Sequence, residues 1–294
     1  MASHTITAAA AGTWRLGDLT VNRIGFGAMR LTGSAAFDLG VPSDRERVLG
    51  VLRQAVELGV DHIDTAAFYF SSLRSANELI GRALAPYPDD LVIATKVGPG
   101  RDPSGQWLPL ARPDQLRGQV EENLRQLGRD HLDLVNLRVM PTTELAEHFG
   151  ALSDLRTAGL IRHLGVSNVT SAQLADARAV APVVCVQNLF GLDDRRSTDL
   201  LHECGDLGIA FVPFYSIAGK GREEGARGDS SEQLAAVARA HGVSTAQVRL
   251  AWTLGLGPHV LAIPGTGDPA HLAENVAAGA LRLTDEEMAL LNAA

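Results

Sequence analysis

The chain has 294 residues, of which 46% are hydrophobic and 20% charged, and its formal net charge is −8 at pH 7. An α/β barrel uses roughly 250 residues as one domain, so this length and ordinary globular composition fit a single folded unit. The acidic balance and the lack of any lysine and arginine run exclude a nucleic-acid-binding protein, because phosphate binding needs clustered positive charge.

The cysteines and the first residues favour a cytoplasmic protein. Cys185 and Cys204 are the two cysteines, which gives no disulfide framework and suits a reducing compartment. Residues 1–12 have neither a charged segment followed by an apolar one nor a stretch able to span a membrane. We therefore predict a disordered segment at residues 1–12 and one domain over residues 13–294.

Short β-branched runs alternate with helical patterns along the chain, which is typical of repeated βαβ units. A hairpin at residues 14–21 is predicted to close the floor of a barrel. Barrel strands are predicted near residues 23–27, 60–64, 91–96, 133–137, 161–166, 183–187, 209–213 and 260–263. Capping residues or an early proline predict helices at residues 43–58, 112–127 and 268–280, with a last helix from near Thr284. The fold class predicted is a (β/α)8 TIM barrel with an N-terminal β-hairpin.

Charged side chains stand at the strand ends, where the chemistry of such barrels occurs. Asp64 and Lys96 end the second and third strands, and Tyr69 lies in the loop after Asp64. A neighbouring ammonium stabilises a phenolate and lowers its pKa, so Tyr69 beside Lys96 is a candidate proton donor near neutral pH. A structural ion pair is the alternative for Asp64 and Lys96, and simple packing is the alternative for Tyr69.

Six groups of short motifs, in order along nearly the whole chain, resemble those of the aldo-keto reductase superfamily. They are His62-Ile-Asp-Thr-Ala followed by Tyr69, Asn77-Glu-Leu-Ile-Gly-Arg-Ala-Leu84, Ala94-Thr-Lys96, Gly165-Val-Ser-Asn168, Val186-Gln-Asn188, and Ile263-Pro-Gly-Thr266 with His271-Leu-Ala-Glu-Asn275. The strand ending at Arg138, with Ser104-Gly-Gln-Trp107 and Val212-Pro-Phe214, looks most like a bacterial branch that includes pyridoxal reductases.

The resemblance implies catalytic roles for three residues. Members of the family carry an Asp, Tyr, Lys and His tetrad, which implies that Asp64 orients Lys96, that Lys96 tunes Tyr69, and that Tyr69 protonates the carbonyl oxygen. Where most members have His, this chain has Arg138. A guanidinium does not shuttle protons, so Arg138 is predicted to be an electrophilic clamp, with a rim salt bridge as the alternative.

The resemblance also implies a nicotinamide cofactor. Ser167, Asn168 and Gln187 are expected to hold its carboxamide, while Phe214 covers one face of its ring. A simple turn at the Ser-Asn pair and a core position for Phe214 are the alternatives.

The contacts to the cofactor phosphates are predicted from weaker signals. The Gly-rich segment of residues 218–222 is expected to turn backbone N–H groups toward the pyrophosphate, with Lys220 or Arg222 adding charge. No Gly-x-Gly-x-x-Gly follows a predicted strand, so a Rossmann domain is not supported.

For the adenosine 2′-phosphate, the family commonly uses a Lys and an Arg at positions where this chain has Gly265 and His271. Thr266, His271 and Asn275 are the remaining candidate donors, together with the N-terminus of the helix that begins at Pro269. NADPH is predicted over NADH because the branch resembled uses it.

Substrate specificity is predicted to lie in the loops of residues 31–41, 98–113 and 189–195. Met29 and Trp107 are the candidate substrate contacts, and packing of Trp107 against its own loop is the alternative.

The histidines give no metal pattern, so no metal site is predicted. His62 is expected to alternate away from the catalytic rim, and His163 is expected to lie far from it. Neither is assigned the role of the missing tetrad histidine.

The predicted activity is NADPH-dependent reduction of an aldehyde or ketone to an alcohol, with pyridoxal to pyridoxine as the best single guess. The alternatives are a reductase of a biosynthetic carbonyl intermediate and, outside enzymes, a redox-sensing or scaffold protein with weak turnover. The expected partner is a small-molecule carbonyl compound, without nucleic acid or membrane, and a homo-oligomer is left open.

Overall fold

Strands and helices alternate along the chain. The computed structural model describes residues 6–33, 39–140, 143–217 and 231–293. The strands are β1 (Thr13–Leu16), β2 (Leu19–Asn22), β3 (Phe26–Gly27), β4 (His62–Asp64), β5 (Val92–Val97), β6 (Leu132–Arg138), β7 (Ile161–Ser167), β8 (Cys185–Gln187) and β9 (Ala210–Phe211). The helices are α1 (Arg45–Glu57), α2 (Ala76–Leu84), α3 (Leu116–Leu127), α4 (Leu145–Thr157), α5 (Ser171–Val180), α6 (Thr198–Asp206), α7 (Glu232–His241), α8 (Thr245–Gly255), α9 (Pro269–Ala277) and α10 (Asp285–Asn292).

Strands β3 to β9 form one parallel sheet in chain order, each hydrogen-bonded to the next. The sheet closes on itself through the segment that follows α8. Within it, Val260 bridges to Phe211 on β9, and Ala262 bridges to Ile24 just before β3. The eighth predicted strand is therefore present as isolated parallel bridges, and the predicted (β/α)8 barrel is confirmed.

The hairpin of β1 and β2 closes the floor of the barrel, as predicted. The two strands pair antiparallel with Trp14 opposite Val21. Leu16 and Val21 are buried in one apolar cluster with side chains that point into the barrel, such as Val92 and Leu134. The hairpin thereby keeps water out of the end opposite the strand carboxyl termini.

The predicted disorder of the first residues is wrong for the segment just before the hairpin. Ala8–Ala11 form a 3-10 turn in which Ala8 and Ala11 are buried. The Ala8 N–H donates to the Leu58 carbonyl at 2.8 Å, which ties the turn to the end of α1. Small alanine side chains allow this close approach. The segment therefore packs against the barrel although its sequence pattern predicts no regular structure.

The alternation of side chains along β5 shows how the fold positions its functional groups. Val92 and Ala94 belong to the cluster inside the barrel, whereas Ile93 and Val97 pack in the layer between the sheet and the helices. Because successive side chains of a strand point to opposite faces, Lys96 falls on the interior face at the carboxyl end.

The helices begin where the sequence places their caps. The Asp44 side chain accepts the Arg47 N–H at the start of α1, and a 3-10 turn at Pro113–Gln115 leads into α3. Asp268 caps α9 in the same way, with Pro269 in its first turn. Among the helices in the described part of the chain, none is long and apolar enough to cross a membrane.

Candidate active site

Lys96 and Asp64 form a buried ion pair at the carboxyl ends of β5 and β4. Their side chains are 3% and 6% exposed, and Lys96 Nζ lies 2.6 Å from Asp64 Oδ2. The ammonium also donates to the Thr65 carbonyl at 3.0 Å, and the Gln187 side-chain amide donates to Asp64 Oδ1 at 2.9 Å. Hydrogen bonds therefore fix both carboxylate oxygens and the ammonium in one orientation.

Tyr69 lies beside this pair in the loop after β4. Its N–H donates to the Ala66 carbonyl at 3.0 Å and its carbonyl accepts the Ala76 N–H at 2.9 Å, so the backbone is fixed on both sides. Lys96 Nζ lies 5.0 Å from the centroid of the Tyr69 ring. The structure thus brings Asp64, Lys96 and Tyr69 together.

Burial dominates the pKa of Tyr69. It raises that pKa above its ordinary value, while the charges of Lys96 and, more weakly, Arg138 act in the opposite direction. Lys96 lowers the pKa of Tyr69 as expected, but the expectation of a low net pKa is wrong, because burial of the phenolate raises the pKa by more than the nearby cations lower it. Tyr69 is consequently a protonated phenol at neutral pH.

The pKa of Lys96 is raised as well. Burial opposes its charge, but the carboxylate of Asp64 and then the Tyr69 hydroxyl together hold its pKa above the usual value. The site thus holds a charged ammonium beside a neutral acid, which is the arrangement that a proton donor to an oxyanion requires.

Arg138 ends β6 and reaches toward Phe214. Its Nη1 donates to Ser167 Oγ at 3.3 Å, and the guanidinium carbon lies 5.0 Å from the centroid of the Phe214 ring. Within the described ranges, no ion pair joins Arg138 to an acidic side chain. The predicted alternative of a rim salt bridge therefore does not form with these residues, and the charge of Arg138 faces the cleft.

A cleft of about 2040 Å³ opens over these four residues. Pockets for one drug-sized ligand measure roughly 300–1,000 Å³, so this cleft has room for a long cofactor together with a substrate. It is also lined by seven other predicted site residues, namely Met29, Trp107, Asn168, Gln187, Phe214, Gly265 and Thr266.

Three predicted cofactor contacts do not line the cleft. Ser167 is fully buried and accepts the hydrogen bond of Arg138, while His271 and Asn275 lie on α9 away from the lining. Lys220 and Arg222 lie outside the described residues. The alternative of a core position for Phe214 is not observed, because its side chain lines the cleft.

Gln187 fits the predicted nicotinamide. The residue is 1% exposed, and its Nε2 is bonded to Asp64. Its Oε1 is a buried acceptor without a hydrogen-bond partner among the described residues. Buried amide oxygens normally accept a hydrogen bond, and the N–H₂ of a carboxamide in the cleft would supply one.

The N-terminus of α9 differs from the prediction. Asp268 Oδ1 accepts the Ala270 N–H at 2.8 Å and the His271 N–H at 3.3 Å, so these backbone donors are not free for a phosphate. Arg47 of α1 hydrogen-bonds to Asp268 and lines the cleft there. Sequence reasoning missed Arg47 because the two residues lie 221 positions apart and no local pattern connects them.

Trp107 both lines the cleft and packs against neighbouring loops. It is 48% exposed, and its ring lies 5.6 Å from that of Phe68. Arg101 holds this arrangement, since its guanidinium lies 5.8 Å from the Trp107 ring and Nη1 donates to the Phe68 carbonyl at 3.2 Å. Sequence reasoning missed Arg101, which joins the loop after β5 to the loop after β4.

His62 does not alternate away from the catalytic face. It lies two residues before Asp64 on β4, so both side chains point into the barrel, with His62 one layer lower. His163 bonds to Asp18 of the hairpin at the floor, which confirms its predicted distance from the rim. Among the described residues, no three His, Cys, Asp or Glu side chains group as metal ligands.

Comparison with known proteins identifies the class that this barrel and site define. Residues 23–294 match the Aldo/keto reductase family, and the chain belongs to that family. It is therefore an oxidoreductase.

Three relatives illustrate the similarity. Pyridoxine 4-dehydrogenase of Escherichia coli (strain K12) is 42% identical over 95% of this chain and 97% of its own. Aldo-keto reductase yakc [NADP(+)] of Schizosaccharomyces pombe is 29% identical over 93% of this chain and 88% of its own. An aldo-keto reductase from Klebsiella pneumoniae, solved in complex with NADPH, is 28% identical with a TM-score of 0.78 and covers 96% of this chain and 94% of its own.

Proposed function

We propose that this enzyme reduces an aldehyde with NADPH, and that its substrate is pyridoxal, which it converts to pyridoxine. The observation that carries the proposal is the position of Arg138, whose guanidinium faces the cleft close enough to Tyr69 to affect its pKa. The E. coli relative named for pyridoxine dehydrogenation and the NADPH-bound K. pneumoniae structure support the substrate and the cofactor.

In this proposal, residues of the protein donate the proton and stabilise the charge that develops on the carbonyl oxygen. NADPH, when bound, supplies a hydride to the carbonyl carbon and is oxidised to NADP⁺. As the carbonyl π bond breaks, its oxygen takes the proton of Tyr69 Oη, and the aldehyde becomes a primary alcohol. The ammonium of Lys96 stabilises the phenolate left behind, which regains a proton from solvent.

Arg138 is suited to a substrate with two neighbouring oxygens. Its planar fork can donate two hydrogen bonds in one plane. Pyridoxal offers its aldehyde oxygen and the adjacent ring oxygen, which is largely a phenolate near neutral pH. A guanidinium that bridges them fixes the aldehyde beside Tyr69 and draws electrons from the carbonyl carbon.

The proposed substrate class is tested by steady-state kinetics at saturating NADPH. We expect kcat/KM for pyridoxal and for 2-hydroxybenzaldehyde to exceed that for benzaldehyde by at least about tenfold, since each extra charge-assisted hydrogen bond contributes about 1.5–3 kcal/mol. Equal values for the two benzaldehydes would argue against recognition of the adjacent oxygen.

Phe214 is proposed to cover the nicotinamide ring. Phe214→Ala should weaken NADPH binding by about 1–2 kcal/mol through lost stacking and burial. Quenching of tryptophan fluorescence by NADPH measures the dissociation constant, and Phe214→Tyr, which keeps a ring, is the matched control. An unchanged constant in a folded alanine variant would remove Phe214 from the cofactor site.

Arg47 is proposed to bind the adenosine 2′-phosphate in place of the missing Lys and Arg. Asp268 orients its guanidinium at the edge of the cleft, beside the lining residues Gly265 and Thr266. Asp268 also accepts the Ala270 and His271 N–H groups at the start of α9, so in this proposal the side chain of Arg47, rather than the helix N-terminus, offsets the phosphate charge.

Arg47→Ala should weaken NADPH binding about 10- to 100-fold, the size of one charge-assisted hydrogen bond, and leave NADH binding within twofold. Arg45→Ala is the control, because Arg45 lies on the same helix but does not line the cleft. Titration of both nucleotides checks this, and equal losses for NADPH and NADH would contradict a phosphate contact.

A further inference from the structure

Four fully buried polar side chains lie behind the Asp64–Lys96 pair, on the outer face of the sheet. Thr65 follows Asp64 and Thr95 precedes Lys96, while Asn77 and Asn123 come from α2 and α3. All four are 0% exposed. Other side chains in this layer between sheet and helices are mainly apolar, so a polar group here requires an explanation.

Hydrogen bonds link the four side chains into one continuous network, which we call the amide bridge. The Thr65 hydroxyl donates to Asn77 Oδ1 at 2.8 Å, and Asn77 Nδ2 donates to Asn123 Oδ1 at 2.9 Å. The Thr95 hydroxyl donates to the same Asn123 oxygen at 2.6 Å. The amide bridge therefore connects the residue after Asp64 to the residue before Lys96.

Helix α3 anchors the amide bridge with two further amides. Gln126 Oε1 accepts a second hydrogen bond from Asn77 at 3.0 Å. One turn before Asn123, Gln119 Oε1 accepts the Gly98 N–H at 2.7 Å and its Nε2 donates to the Gly98 carbonyl at 3.2 Å. The backbone just beyond Lys96 is thereby held to the same helix face.

The amide bridge acts on the atoms that bind the ammonium. Lys96 Nζ has two oxygen acceptors next to each other in sequence, Asp64 Oδ2 at 2.6 Å and the Thr65 carbonyl at 3.0 Å. A fully satisfied buried network restricts its members to one arrangement. A shift of the Thr65 backbone would move both acceptors relative to Lys96 and Tyr69.

We propose that Thr65, Asn77, Asn123 and Thr95 are positioning residues that set the place of the Lys96 ammonium beneath Tyr69. They touch neither cofactor nor substrate and act through the two strands that carry Asp64 and Lys96. This inference rests on the proposed carbonyl reduction for its kinetic effect.

Thr65→Val tests the proposal, because it replaces the hydroxyl by a methyl of similar size. We expect kcat for aldehyde reduction to fall about tenfold or more, as small displacements of catalytic groups do, with the dissociation constant for NADPH unchanged. Thr65→Ser, which keeps the hydroxyl, should restore most of the rate. Thr253→Val is the control, since Thr253 is equally buried and also donates one hydrogen bond, to the Arg249 carbonyl at 2.9 Å.

A measurement without turnover separates this proposal from the proposed function. NMR titration of the Lys96 side chain should give a lower Lys96 pKa in Thr65→Val than in the wild type, the Ser variant or Thr253→Val. If Thr65→Val does not fold, Thr95→Val is measured in the same way. Unchanged kcat and unchanged Lys96 titration in a folded valine variant would overturn the positioning role, whereas absence of aldehyde reduction by the wild type would overturn only the proposed function.

Discussion

Lys96→Met should lower kcat by about 10²- to 10⁴-fold at neutral pH, the range that general acid catalysis contributes. Burial already raises the pKa of Tyr69, and Lys96 is the largest influence that opposes it. Lys96 and Arg138 are the two cations that lower the pKa of Tyr69. Without the Lys96 ammonium, Arg138 is the one of these two that remains to stabilise the phenolate formed on proton transfer. NADPH affinity should change little, because Lys96 acts mainly in the transition state.

The same variant should also be less stable. Removal of Lys96 leaves the Asp64 carboxylate buried with the Gln187 hydrogen bond as its one remaining partner among the described residues. Breaking a buried ion pair costs about 3–5 kcal/mol. The double variant Asp64→Asn with Lys96→Met removes the unpaired charge, so it should recover thermal stability without recovering turnover. A single variant with kcat within about tenfold of the wild type would contradict the role of Lys96.

Arg138→Ala should lower kcat/KM for pyridoxal by an amount equivalent to about 2–4 kcal/mol of transition-state stabilisation, because a charge-assisted donor to the developing oxyanion is lost. The loss for 2-hydroxybenzaldehyde should match that for pyridoxal, and the loss for benzaldehyde should be smaller. The comparison is made on cofactor-saturated enzyme.

Arg138→Lys separates charge from geometry at this position. A lysine keeps the positive charge but lacks the planar fork, so it should restore benzaldehyde reduction more than pyridoxal reduction. Equal losses for both benzaldehydes in the alanine variant would reject the two-oxygen clamp and leave a general electrostatic role.

The barrel was predictable from sequence because its signals are local. Alternation of β-branched runs with capped helices predicted the strand order. Capping residues or an early proline predicted helix starts near residues 43, 112 and 268, which the structure confirms. The strand-end positions of Asp64 and Lys96 followed from the same pattern, and their 2.6 Å contact follows from neighbouring parallel strands.

Other features depend on contacts that no local pattern encodes. The net direction of the Tyr69 pKa depends on how completely the fold removes the phenol from water, which its neighbours in sequence do not show. Arg47 reaches Asp268 only in the folded barrel.

The sequence of α3 carries a sign of the amide bridge. Gln119, Asn123 and Gln126 recur at helical spacing on α3, with Asn123 on the buried face and the two half-buried glutamines along its border. A polar stripe along the buried face of a helix indicates a buried network, but its partners near β4, on β5 and on α2 require the tertiary structure.

The most direct test of the account is a transfer experiment with NADPH deuterated at the nicotinamide C4 position that donates the hydride. The enzyme is incubated with this cofactor and pyridoxal, and the product is analysed by mass spectrometry and NMR. We predict pyridoxine with one deuterium on the carbon of the new hydroxymethyl group, formed in equal amount to the NADP⁺. Oxidation of NADPH without deuterium on that carbon, or no reaction with pyridoxal while other aldehydes are reduced, would contradict the proposed function.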